Sequence, residues 1–106
     1  MGDILLSMAI SNKKLSESDV TKNLLKISEW TVNTKSTELS KVFDVPSFVT
    51  GLAFIAKIAV HAEVMGHHPI VELSHTKVKV KLSTQDVKGL SRLDFELAKR
   101  IDAFIH

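Results

Sequence analysis

Between Pro46 and Gly66 the chain carries one long apolar segment, and this segment constrains the fold more than any other. Proline suits a helix start and glycine a helix stop, so the spacing predicts a helix over about 47–65. At roughly 100° per residue, Ser47, Thr50, Lys57 and His61 fall on one narrow polar stripe. Phe48, Val49, Leu52, Ala53, Ile55, Ala56, Ala59 and Val60 cover about 200° of the circumference. Packing on a single sheet needs less than that. Either a second copy of the chain covers the surplus, or the helix is buried deeply within its own domain.

The flanking sequence supplies the sheet. "WTVN" and "ELSKVFDV" have strand character around the polar turn "TKST". After Pro69, "IVELSH" and "KVKVKLS" alternate strictly, with Val78, Val80 and Leu82 facing in and Lys77, Lys79 and Lys81 facing out. They form an antiparallel pair turning near His75–Thr76. Two further helices complete the set. Ser16 with Asp19 makes a capping box, and Leu15 with Val20 a hydrophobic staple, for a helix over about 17–28 whose inner face is Val20, Leu24 and Ile27. Ser91 with Asp94, and Leu90 with Phe95, repeat both devices for the last helix. The expected fold is α+β: a four-stranded antiparallel sheet with three helices on one face, in the order α-β-β-α-β-β-α. One domain fills residues 1–106, and 1–14 are read as a loose or strand-like tail.

Composition excludes several functions. With no cysteine there is no disulfide, thiol chemistry or thiolate zinc site. Net charge is only +2, and the two arginines, Arg92 and Arg100, stand near the C-terminus, a poor match to a direct nucleic-acid binder. Asp3 stands where a signal peptide wants positive charge, and no segment is read as approaching the roughly 20 apolar residues of a membrane span. The default expectation is a cytoplasmic protein that does not engage membrane.

The chemistry concentrates in "HAEVMGHHPIVEL". Gly66 ends the helix and Pro69 holds His68 extended, so His67 and His68 occupy the corner before the third strand. Glu63 shares a helical face with Leu52, Ala56 and Ala59, and its charge opposes the helix dipole there. It breaks two local rules, which marks either function or a frayed end that reaches water. His61 reads as a surface residue on the polar stripe. His61, His67, His68 and His75 lack the i, i+4 spacing of a helical zinc motif. A histidine pair can hold one proton donor beside one acceptor near neutral pH, which suits metal-free addition or elimination of water on a small heterocycle.

"AEVMGHHP", then "KVKVKLST" and "GLSRLDFELAKRID", resemble the pterin-4a-carbinolamine dehydratases, also known as the dimerisation cofactor of hepatocyte nuclear factor 1. "LSES", "LLKISEW", "KVFDVPSF" and "IAVHAE" match upstream in the same order, so the resemblance spans about residues 15–104. It implies homodimers that can pair into homotetramers, and dehydration of 4a-hydroxytetrahydropterin to quinonoid dihydropterin in tetrahydrobiopterin recycling, without metal or cofactor. It also implies an alternative, an oligomeric binding or assembly module of the transcription-cofactor kind. Glu63, His67 and His68 become the catalytic candidates. Pro69, Thr84, Gln85, His75 and Asp94 become the substrate-binding ones, although capping alone accounts for Asp94. Two positions depart from the family pattern. Gln85 stands where a third histidine is expected, and His75 where an aromatic is expected. Glutamine can hydrogen-bond a pterin but cannot trade a proton near neutral pH, so a reduced rate is expected unless His75 substitutes.

Overall fold

Among the described residues, each α-helix begins on a serine whose side chain takes up backbone N–H groups that the first turn leaves free. A computed structural model describes residues 10–104. In it, helix α1 (Glu17–Leu24) starts on Ser16 Oγ, which accepts from Asp19 N–H at 3.1 Å. Strands β1 (Thr31–Val32) and β2 (Leu39–Asp44) follow, then helix α2 (Phe48–Met65), strands β3 (Ile70–Ser74) and β4 (Lys77–Leu82), a 3₁₀ turn over Gln85–Val87, and helix α3 (Arg92–Ala103). Both longer helices carry reciprocal capping boxes, Ser47 with Thr50 and Ser91 with Asp94. The expected order and class are found. Of the tail expected over 1–14, residues 1–9 lie outside the described residues; the rest has no regular secondary structure.

The sheet order is β1-β2-β4-β3 with every neighbour antiparallel. Its register sets Leu39, Phe43, Val78, Val80 and Leu82 on one face, where all are buried. Against them lie Phe54 and Ile58 of α2 and Phe95, Leu97, Ala98 and Ile101 of α3. Gly51 permits the close approach of α2, since a Cβ there would meet Leu73 Cδ1 at 2.8 Å.

The buried stripe of α2 is Gly51, Phe54, Ile58, Ala62 and Met65, at the i+3/i+4 spacing of one helical face. Phe48, Val49, Leu52 and Val60 remain more than half exposed, so the helix is not deeply buried within its own fold. The expectation that no segment approaches a membrane span needs correction. By length and composition alone α2 meets that test, with 18 residues at a mean hydropathy of 1.6. Isolated polar residues interrupt the apolar run without lowering the average far enough. In the fold, one stripe of α2 lies against the sheet and the rest of its circumference is largely uncovered, 28% of the helix being buried.

Helix α1 ends at Leu24, four residues short of the expected 28. The chain turns there, through Glu29 at φ 63°, to drive Trp30 into the core. Trp30 Nε1–H donates to the Asp102 carboxylate at 3.0–3.1 Å, and Lys41 Nζ meets the same group at 2.9 Å. Lys41 lies on the inner face, opposite Val80, and also donates to Ser28 O at 2.8 Å. Its ammonium sits 4.8 Å from the Phe43 ring centroid. Asp102→Ala strands a largely buried ammonium and an indole N–H, and is expected to cost about 3 kcal/mol or more. Lys41→Met replaces the charge by an apolar chain of similar length and is expected to cost under about 1.5 kcal/mol. Urea unfolding of the two variants checks this; equal losses would contradict it.

Candidate active site

Gly66 decides where the histidines go. It closes α2 in the left-handed conformation (φ 61°, ψ 32°), which glycine adopts without strain. The His67 N–H then donates back to Ala62 O at 3.0 Å, which turns the chain out of the helix and fixes the backbone of His67. The two imidazoles diverge from this corner into different surroundings.

His67 points inward and is 8% exposed. Its Nε2 lies 2.5 Å from Oδ1 of Asp94, which is fully buried in the first turn of α3. The other Asp94 oxygen accepts from Ser91 N–H at 3.0 Å and from Thr84 Oγ1 at 2.7 Å. Thr84 Oγ1 also lies 2.6 Å from Ser91 Oγ. No buried side-chain N or O atom among the described residues lacks a partner, so the network is a satisfied one. A carboxylate can only accept, so the His67 tautomer that pairs with the carboxylate form of Asp94 carries its hydrogen on Nε2 and has Nδ1 as its acceptor nitrogen.

His68 points outward. Its Nε2 lies 2.5 Å from Glu63 Oε2, with both side chains largely exposed. Glu63 remains helical and reaches water on the uncovered apolar side of α2, so it is not a frayed end. The corner therefore carries two imidazole–carboxylate pairs on consecutive residues, one dry and one wet.

Both open onto one cavity of about 530 Å³, within the usual size of a small-molecule site. Thr84 and Gln85, with the apolar Met65 and Leu93, contribute to its lining. Gln85 Nε2 donates weakly to Ser83 Oγ at 3.3 Å. Asp94 and Glu63 are not in the lining; each stands behind or beside the histidine it holds. Pro69 begins the run into β3 and is also outside it. His75 occupies the β3–β4 turn at φ 52°, a full strand from the corner, about 15 Å at the usual rise. It does not line the cavity. His61 is partly covered, stacked on Phe104 at 5.1 Å with Arg100 Nη1 3.5 Å from its Nδ1. Among the described residues no three His, Asp or Glu side chains converge as a metal-binding group. Sequence reasoning missed the tie between Asp94 and His67, because the capping pattern explains only one carboxylate oxygen. The available signal was the family resemblance, which made Asp94 a site candidate beyond its capping role.

The family model for pterin 4 alpha carbinolamine dehydratase matches residues 13–104. The chain belongs to this family. A relative from Roseiflexus sp., which bears the provisional name of a pterin-4-alpha-carbinolamine dehydratase, is 37% identical over 89 residues, covering 84% of this chain and 94% of its own. One from Chloroflexus aggregans, named in the same way, is 33% identical over 92 residues, covering 87% and 97%. The crystal structure of a transcriptional coactivator/pterin dehydratase from Brucella melitensis superposes with a TM-score of 0.82 at 27% identity, over 86% of this chain and 97% of that one. A pterin dehydratase-like protein described as a RuBisCO assembly factor in the alpha-carboxysome superposes at 0.61 and 26% identity, over 71% and 87%. The names of these two structural neighbours thus join pterin dehydratase with coactivation in one case and with assembly in the other.

Proposed function

We propose that this chain dehydrates 4a-hydroxytetrahydropterin to quinonoid dihydropterin, as in tetrahydrobiopterin recycling. The observation that carries the reading is the pair of imidazole–carboxylate dyads on consecutive residues above one cavity. In the proposed step, His68 gives a proton to the 4a-hydroxyl as the C4a–O bond breaks and water leaves. His67 Nδ1 takes the N5 proton, and the N5–H electron pair becomes the C4a=N5 bond. Glu63 and Asp94 balance the positive charge that each imidazole carries during the exchange, in the manner of the aspartate behind a catalytic histidine. Thr84 acts mainly through Asp94, because its hydroxyl is already committed there. Gln85 offers the ligand a hydrogen bond but no proton transfer.

Positioned acid–base groups are worth about 10²–10⁴-fold. His68→Ala leaves no buried group unpaired, and it is expected to lower turnover by about 10²-fold or more while the protein stays folded. Gln85→His is expected to raise turnover by about ten-fold or less, since two imidazoles already serve the reaction. Stopped-flow dehydration of freshly generated 4a-hydroxytetrahydropterin reads both. Wild-type turnover in His68→Ala would remove the assignment. A second reading, a binding or assembly module without turnover, is favoured by Gln85 and by the coactivator and assembly-factor names of the two structural neighbours. A wild-type protein that folds and self-associates but never dehydrates the pterin would establish it.

We further infer self-association, as homodimers able to pair into homotetramers. Phe48, Val49, Leu52 and Val60 leave α2 with an uncovered apolar face, and β3 is an edge strand. Sedimentation at micromolar concentration is expected to give a species larger than the 11.7 kDa chain, and Leu52→Lys is expected to shift it toward monomer. A strict wild-type monomer would contradict the inference.

A further inference from the structure

One wall of the cavity comes from outside the part of the chain that the family shares. The family match begins at residue 13, yet Ile10 and Asn12 line the same cavity as His67, His68 and Gln85. The segment is fastened on both sides of Asn12. Ile10 is partly buried against the core. Beyond Asn12, Leu15 N–H donates to Leu90 O at 2.8 Å, and the methylenes of Lys14 cover Gly89, where a Cβ would come within 2.8 Å of Lys14 Cε. Lys13 N–H donates to Ser11 Oγ at 3.2 Å across Asn12 itself.

The Asn12 side chain is exposed, and its carboxamide makes no hydrogen bond to another described residue. Of the other polar groups of the lining, Thr84 and His67 Nε2 are committed to Asp94 and His68 Nε2 to Glu63, while Gln85 and Asp86 lie beside the histidines at the 3₁₀ turn. A carboxamide presents a donor and an acceptor side by side. We propose that Asn12 is a ligand-binding and specificity-determining residue, pairing with a ligand edge that offers an acceptor beside a donor, as the pyrimidinone ring of a pterin does. This rests on the pterin reading of the cavity and adds a contact that the shared family domain does not supply.

The test uses the full chain, with 7,8-dihydropterin as the binding probe, followed by its own fluorescence, and 4a-hydroxytetrahydropterin as the substrate. One neutral hydrogen-bonded contact corresponds to about 3- to 10-fold in affinity. Asn12→Ala is therefore expected to raise both Kd and KM by that factor. The loss falls on KM rather than kcat, because the contact is equal in ground and transition states. The thermal midpoint of the ligand-free protein stays unmoved, since Asn12 holds nothing in the empty protein. Unchanged Kd and KM beside an active wild type overturn the proposal and leave the dehydratase reading standing. A loss of affinity accompanied by a lower midpoint overturns it too, because Asn12 would then be supporting the fold. A wild-type protein that neither binds the probe nor turns over the substrate removes both readings together.

Discussion

The short bond between His67 and Asp94 joins three separate parts of the chain at one point. His67 comes from the end of α2, Asp94 from the first turn of α3, and Thr84, on the same carboxylate, from the end of β4. A buried carboxylate is costly unless its oxygens are paired. Here one oxygen is filled by the helix cap and a hydroxyl, and the other by an imidazole. Asp94 thus starts a helix and holds a ring with the same group. Removing either partner leaves a buried polar atom bare, which ties the geometry of the site to the stability of the fold.

Helix α3 is held near both ends by an aspartate that reaches across to another element. Asp94 suits the positive N-terminal end of the helix dipole. Asp102, in the last turn, does not, and Lys41 and Trp30 compensate it. The two networks are eight residues apart, about 12 Å along the helix, and between them Leu97, Ala98 and Ile101 press on the sheet. The helix is therefore fixed in register, and the inner imidazole inherits that precision. His68 and Glu63 have no such support. They sit at the wet edge of the same cavity, where proton exchange with water is open.

Much of this was legible in the residues. Caps and staples at Ser16 and Ser91 locate two helix starts, and strict alternation in "KVKVKLS" marks the buried face of β4. Gly66 and Pro69 located the corner. Lys41 was less visible, because a lysine two residues from each of Leu39 and Phe43 breaks the alternation, and only a distant aspartate makes that tolerable. The end of α1 at Leu24 depended on where Trp30 had to go, a tertiary demand that local propensity does not carry. The apolar face read on α2 is the uncovered one: none of its eight residues is buried, and packing against Leu73 and the sheet takes the stripe of Gly51, Phe54, Ile58, Ala62 and Met65 instead. Asn12 gave no sequence signal, since a single asparagine in a polar stretch is unremarkable until the chain folds it against the histidines.

Asp94 both caps α3 and holds His67, and Asp94→Asn separates the two roles. Asparagine keeps an oxygen to accept from Ser91 N–H but cannot balance an imidazolium, and its NH₂ facing His67 demands the opposite tautomer. The expected result is a folded variant whose turnover of 4a-hydroxytetrahydropterin falls by about 10²-fold or more, with the His67 ring hydrogen on Nδ1 rather than Nε2 in a ¹H–¹⁵N spectrum of the imidazoles. A folded Asp94→Asn protein with wild-type turnover would contradict it, and would leave Asp94 as a helix cap and nothing more.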